Sequence, residues 1–370
     1  MINISKINDV ALQNFLSAEI NFELTNHCNI ACIYCDNKTL KNKGNMTIND
    51  FNIITDKLFD NKLSQKKAIF CGYGESFLNN SLYEMVDKIC DMGVELRIQS
   101  NGKWELNENR INTLFKINRI SVTIDAVTND VYRLSRPNTD VHKIFDNLKK
   151  IISLKDQFIQ HKPYITAKMN VFNFNKHQTH EFIHKCKESK FDQICLTKGN
   201  GPPEVRTTIN KLEFDKYDSM VSIDNSLFET SDSEGNSYQP NQCKSEKLYN
   251  TSSQLSIIFN QLGCFDTATI KWDGTLNPCC WDIYSQLSLG NVVTDSLEEL
   301  FSTVNLNRID KMIRKHKNNP FSRIPCLSCP RFISNFKLGY LVKTKHSVLR
   351  NSFVVYEWLR RLFNDVIFFR

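Results

Sequence analysis

No stretch of the 370 residues approaches the roughly 18 consecutive apolar positions that a membrane-crossing helix needs. The opening, Met-Ile-Asn-Ile-Ser-Lys-Ile-Asn-Asp-Val, lacks the basic region and long apolar core of a secretion signal. Without an export signal, thirteen cysteines point to a reducing, cytoplasmic location and to thiolate ligation rather than disulfides. A basic stripe across the folded body is missing as well. Residues 331–370 hold eight Lys or Arg against Glu357 and Asp365, so +6 of the net +7 lies in that tail and the rest is close to neutral. Such a body has no electrostatic footprint for nucleic acid. There is no internal repeat and no low-complexity segment. What is present, 41% hydrophobic and 24% charged residues, is the composition of a soluble globular protein with room for about two domains.

Strand-like and helix-like segments alternate through the first two hundred residues. Strands are expected near 19–24, 67–71, 94–100, 119–125, 164–172 and 193–197, with amphipathic helices near 47–61, 81–92, 108–116, 142–154 and 176–187. That is the pattern of βα units on a parallel sheet, and six units are too few to close an eight-stranded barrel. The segment 199–262 is irregular and polar, a linker or lid.

Cys28, Cys32 and Cys35 follow the first strand in Asn-His-Cys-Asn-Ile-Ala-Cys-Ile-Tyr-Cys. Three thiolates at this spacing can hold three irons of a 4Fe–4S cube and leave the fourth open to a small chelating molecule. Structural zinc wants four closed ligands and suits the three-residue gap poorly. A second set, Cys264-x9-Gly274-x4-Cys279 and then Cys326-Leu-Ser-Cys329, supplies four thiolates, with Lys271-Trp-Asp-Gly274 as a hairpin turn. Chemistry alone leaves both zinc and an iron–sulfur cluster open for these four.

The first motif resembles the radical S-adenosylmethionine (SAM) family, in which the open iron binds the amino and carboxylate groups of SAM. Reductive cleavage there gives methionine and a 5′-deoxyadenosyl radical that abstracts hydrogen from an unactivated carbon. The resemblance implies an α/β fold, a partial (β/α)6 TIM-like barrel with chemistry at the C-terminal strand ends, followed by an auxiliary-cluster extension of β-hairpin plus helix. Cys71-Gly72-Tyr73-Gly74-Glu75-Ser76 is similar to the family's Gly-Gly-Glu-Pro element, with Ser76 in place of Pro. Gly72 and Gly74 would let carbonyls approach the SAM ammonium, and Glu75 would add an anionic partner. Tyr34 would lie against adenine, Asn101 stands in a Ser-Asn-Gly turn similar to Thr-Asn-Gly, and Thr123 would meet the ribose with Asp125 nearby. Arg133 and Arg136 are candidates for the SAM carboxylate.

The second cysteine set, with Leu289-Gly-Asn-Val292 and Ser296-Leu-Glu-Glu-Leu300 between its pairs, resembles the SPASM extension. Nothing matching the later SPASM cysteines follows Cys329, which is similar to the shortened Twitch form with one fully ligated 4Fe–4S cluster for electron transfer. Cys280 is a candidate hydrogen-atom donor for an epimerisation and Asp282 a candidate general base for an oxidation. The expected organisation is a barrel over 1–198, a linker or lid over 199–262, an auxiliary iron–sulfur domain over 263–335 and a basic amphipathic tail over 336–370. That tail either docks on protein or lies on an anionic membrane surface. A flavodoxin- or ferredoxin-type reductant is implied. Fewer than 30 residues precede Cys28, which favours a small-molecule or carbohydrate-type substrate over a peptide.

Overall fold

Six short segments rich in Ile, Val and Phe lie side by side as parallel strands: β1 (Ile20–Phe22), β2 (Lys67–Phe70), β3 (Glu95–Ser100), β4 (Arg119–Thr123), β5 (Tyr164–Val171) and β6 (Gln193–Lys198). The computed structural model describes residues 9–59, 67–155, 163–172, 174–198, 268–280 and 282–316. Each strand pairs with the next in chain order, and Phe22, Phe70, Ile98, Ile120 and Ile165 occupy one rung. With helices between the strands this is a partial (β/α)6 barrel, as the family resemblance implies.

Along every strand, alternate side chains face opposite sides. Ile120 and Val122 are buried under the helices, while Ser121 and Thr123 are half-buried on the inner face. The helices repeat the logic at period 3.6. In α1 (Asp9–Ser17), α2 (Ile48–Phe59), α3 (Leu82–Asp91), α4 (Ile111–Leu114), α5 (Asn129–Ser135), α6 (Val141–Leu154) and α7 (Thr179–Glu188), the apolar stripes face the sheet. Val141, Ile144, Phe145, Leu148 and Ile151 of α6 show this most plainly. Phe51 on α2 meets Phe22 and Phe70 with ring centroids 5.4 and 5.8 Å apart.

The auxiliary region joins the same sheet. β7 (Thr269–Ile270) pairs parallel to β1, then β8 (Thr275–Asn277) and β9 (Gly290–Asn291) continue antiparallel. The β7–β8 turn closes with Gly274 N donating to the Lys271 carbonyl at 2.9 Å, and Gly274 sits at φ +83°, where a side chain would be strained. Two further helices, α8 (Leu297–Leu300) and α9 (Thr303–His316), follow. Ser296 and Glu299 form a capping box at the start of α8. Ile270, Leu276, Leu289, Val292 and Leu300 share one core with the barrel, and Phe15 of α1 packs on Phe301 at 5.2 Å.

Several boundaries differ from the sequence pattern. β4 ends at Thr123, so Asp125 lies in the loop beyond it. The helices expected over 108–116 and 176–187 each open with a 3-10 turn. Helix α5 was not expected at all; at seven residues it is too short to show an apolar period. The proposed lid, the tail, and Cys264, Cys326 and Cys329 lie outside the described residues. Among the described residues no helix is long and apolar enough to cross a membrane.

Candidate active site at the C-terminal strand ends

The floor of the barrel is closed by polar pairs. Arg97 meets Glu19 at 3.3 Å, and Arg119 donates to Gln193 at 2.7 Å beneath the Tyr164 ring. The opposite, C-terminal end is where loops converge, as in full barrels.

Cys28, Cys32 and Cys35 occupy the loop after β1, all three free and half-buried. The loop is tied on several sides. Ile33 N donates to the Ser135 carbonyl of α5 at 3.0 Å, and Asn29 and Asn101 bond side chain to side chain at 2.9 Å. Two N–H donors are aimed at sulfurs: Asn101 Nδ2 at Cys28 Sγ, 3.6 Å, and Asn37 N at Cys35 Sγ, 3.5 Å. Burial raises the Cys32 thiol and pushes Cys35 up to about 12, so loading with iron must release protons. Among the described residues no three His, Cys, Asp or Glu side chains surround a single ion. Ligands on three corners of a cube stand further apart than the ligands of one metal, so the donor set of three thiols with N–H···S partners fits a cluster rather than an ion.

The turn after β2 presses against this loop. A Cβ on Gly74 would lie 2.1 Å from the Thr25 carbonyl oxygen and 2.7 Å from that of His27; one on Gly72 would lie 2.5 Å from Glu23 Cγ. Glu75 is 1% exposed, and its carboxylate accepts from Asn101 N (2.7 Å), Ser100 Oγ (3.1 Å) and Phe77 N (3.3 Å), which locks the β2 and β3 turns together. Burial pushes its carboxyl up to about 7 against the pull of those donors. A carboxyl raised on folding contributes stability that is complete below its unfolded value near 4.5 and is lost as pH climbs to about 7. The unfolding midpoint should therefore fall across that window in the wild type and less steeply in Glu75→Gln; equal slopes would acquit Glu75.

The remaining sequence candidates fall into two groups. Asp125 is fully buried and binds Arg136 Nε at 2.8 Å, Tyr34 Oη at 2.5 Å and Asn170 N at 3.1 Å. Arg136 also donates to Tyr34 Oη at 2.6 Å. Burial opposes its charge most strongly, yet Asp125 together with Tyr34, Tyr132 and Cys32 outweighs it and holds the guanidinium well above its ordinary value. The Tyr34 ring stacks on Phe172 at 5.3 Å. Thr123 is half-buried at the end of β4, paired in register with Lys168. Arg133, by contrast, is exposed and donates to the Thr139 carbonyl at 3.1 Å. In the auxiliary region Cys279 and Cys280 are half-buried. Asp282 is 2% exposed, and its two oxygens accept from Gln286 N (2.9 Å) and Leu287 N (2.7 Å), the contacts of a turn-former rather than of a free base.

Sequence reading missed Glu23, Lys43, Gly44, Lys271 and Trp272. Lys271 reaches from the β7–β8 turn to Glu23 at the end of β1, Nζ to Oε1 3.0 Å, with side chains 8% and 0% exposed. Trp272 covers Gly44 so closely that a Cβ there would lie 2.1 Å from the indole. The auxiliary hairpin is thus seated on the cysteine loop. The available signals were Glu23 directly after the strand Ile20-Asn-Phe22 and the Lys271-Trp-Asp-Gly274 turn, in which Lys271 and Trp272 were read only as hairpin residues.

Comparison with known proteins agrees with this geometry. The family described as the Radical SAM superfamily matches residues 22–197, and the SPASM iron-sulfur cluster-binding domain matches 264–330. A probable GTP 3′,8-cyclase of Methanocaldococcus jannaschii is 27% identical over 140 residues, 36% of this chain and 45% of that protein, so the chain spans under half the length of this relative. Streptococcus suis SuiB bound to precursor peptide SuiA superposes with a TM-score of 0.53 at 14% identity, over 88% of this chain and 72% of SuiB. Native anSMEcpe with bound AdoMet and Kp18Cys peptide gives 0.51 at 16%, over 85% and 86%. At such identities these structures speak to the fold. Motif, geometry and family matches coincide, and the chain belongs to the SPASM-type radical SAM enzymes, which use a 4Fe–4S cluster, SAM and auxiliary iron–sulfur ligation.

Proposed function

We propose that this chain holds its SAM-binding 4Fe–4S cluster on Cys28, Cys32 and Cys35 and oxidises or epimerises a substrate carbon at the barrel mouth. With the cluster bound, one electron from a flavodoxin- or ferredoxin-type reductant would pass to SAM, whose C5′–S bond would break to methionine and a 5′-deoxyadenosyl radical able to take a hydrogen atom from substrate. The observation that carries this reading is the loop arrangement: three free thiols on one loop, packed by Gly72 and Gly74 against the turn that ends in Glu75. The glycine turn would present backbone carbonyls to the SAM ammonium. Thr123 and Tyr34 stand at the same mouth for the ribose and adenine. Glu75 acts here by holding the β2 and β3 turns, and Asp125 and Arg136 by fixing Tyr34.

In the auxiliary region, Cys264, Cys279, Cys326 and Cys329 would hold one Twitch-type cluster that accepts the electron left on an oxidised substrate. For an epimerisation, Cys280 would instead return a hydrogen atom to the substrate radical. For an oxidation, Asp282 would be the candidate general base, although its two oxygens also hold the backbone N–H groups of Gln286 and Leu287. The substrate is a small molecule or carbohydrate-type compound, with a peptide as the competing class.

The test is 5′-deoxyadenosine formation by anaerobically reconstituted protein with SAM and a strong reductant, beside Cys32→Ala. Nucleoside from the wild type alone is expected, with at least a hundredfold loss in the variant. Equal traces from both would overturn the ligand assignment. Adding sugar, aminocyclitol or peptide pools to the same assay separates the substrate classes, and deuterium from D2O in the product separates epimerisation from oxidation.

A further inference from the structure

The stretch leaving the cysteine loop carries a cation with a built position. Lys43 is half-buried, and its ammonium donates to three oxygens of the segment on either side of the cysteines: Asn26 O at 3.0 Å, Asn37 O at 2.8 Å and Asn37 Oδ1 at 2.6 Å. Asn37 in turn donates to Asn26 O at 2.7 Å and Tyr73 O at 2.5 Å, so the ammonium sits in a closed ring of carbonyls. The neighbouring Gly44 N is pinned to Asn26 Oδ1 at 2.8 Å and Trp272 covers Gly44 from outside, which fixes the backbone next to Lys43.

None of its partners is a carboxylate. Its link to the cysteines runs through Asn37, which accepts from the ammonium through O and Oδ1 and donates its backbone N–H to Cys35 Sγ at 3.5 Å, while the nearby carboxylate of Glu23 is already held by Lys271. Asp36, buried beside Cys35, makes no ion pair among the described residues.

We propose that Lys43 is a positioning residue for the SAM-binding cluster: it clamps residues 26 and 37 on either side of the three cysteines and fixes one positive charge on Asn37, whose backbone N–H meets Cys35 Sγ. Three thiolates and an iron–sulfur cube that gains an electron form an anionic centre, and a fixed cation in a half-buried setting favours its reduced state. Neutral oxygens could be bridged by an amide or a water. A lysine adds a net positive charge one hydrogen-bonded residue away from Cys35, which an amide or a water bridging the same oxygens would not.

The inference rests on Cys28, Cys32 and Cys35 as ligands, and the experiment separates the two. Full-length protein reconstituted anaerobically is titrated potentiometrically while the SAM-sensitive EPR signal is followed, in wild type, Lys43→Met, Lys43→Arg and Cys32→Ala. Lys43→Met should move that midpoint to more negative potential, leave the SAM-insensitive signal unmoved, and be largely rescued by Lys43→Arg. If Lys43→Met loads no iron, retention of iron in Lys43→Arg still supports the charge. Loss of iron in both, or an unmoved midpoint at full iron, overturns it. A SAM-sensitive signal that survives in Cys32→Ala would instead refute the ligand assignment.

Discussion

Gly74→Ala should strip the protein of its SAM-binding cluster, about four iron atoms per chain, while the auxiliary region keeps its own. The added methyl would meet Thr25 O at 2.1 Å and both Thr25 C and His27 O at 2.7 Å, all backbone atoms. Nothing there can rotate aside. Thr25 is bridged to Asn45, and its hydroxyl donates to the Gly44 carbonyl at 2.9 Å. On the other side Glu75 N already donates to His27 O at 2.8 Å, and strand β2 is in register with β1. Relief must come from moving the β2 turn away from the cysteine loop. Forcing a methyl into a filled site typically costs about 1–3 kcal/mol, and here the strain falls on the segment that aims the thiols. Iron per chain and SAM affinity measure the effect together, with SAM binding expected to fall at least a hundredfold. Gly72→Ala is the internal comparison, since its methyl meets the Glu23 side chain instead and should be milder. Full iron with unchanged SAM affinity in Gly74→Ala would show that the contact yields and that the cradle is not as tight as described.

Much of this site could be read from the chain, for a physical reason. Ligand spacing within Cys28–Cys35 and the glycine turn after β2 are local, and a parallel βα pattern sends every such loop to the same end of the sheet. The amphipathic helices α3 and α6 likewise announce themselves through their own periodicity. What escaped was whatever depends on partners distant in sequence. Arg136 looked available because its partner Asp125 and the Tyr34 hydroxyl come from two other loops. Nothing in the sequence says, either, that the backbone N–H groups of Gln286 and Leu287 turn back onto Asp282. β7, two residues long, carries no strand period, and it finds its place only because β1 offers an open edge.

Lys271→Met should be the most destabilising single change at the junction of barrel and auxiliary region. Glu23 has no exposed side-chain surface; one oxygen accepts from Tyr73 N at 2.9 Å and the other faces the Lys271 ammonium at 3.0 Å. That ammonium also lies 5.4 Å over the Tyr73 ring. Removing one partner of such a pair leaves an uncompensated buried charge, which typically costs about 3–5 kcal/mol, whereas replacing both by apolar groups of like size is often neutral. The prediction is therefore asymmetric. In denaturant, Lys271→Met should lower the unfolding midpoint strongly, and Glu23→Gln combined with Lys271→Met should recover much of the loss. Because Glu23 also supports the turn that carries Gly72 and Gly74, the single variant should weaken SAM binding as well, although Lys271 stands in the auxiliary hairpin and not among the barrel loops. A single variant no less stable than the double would mean that water or another group neutralises Glu23, and that the two iron–sulfur regions are coupled by Trp272 on Gly44 rather than by this pair.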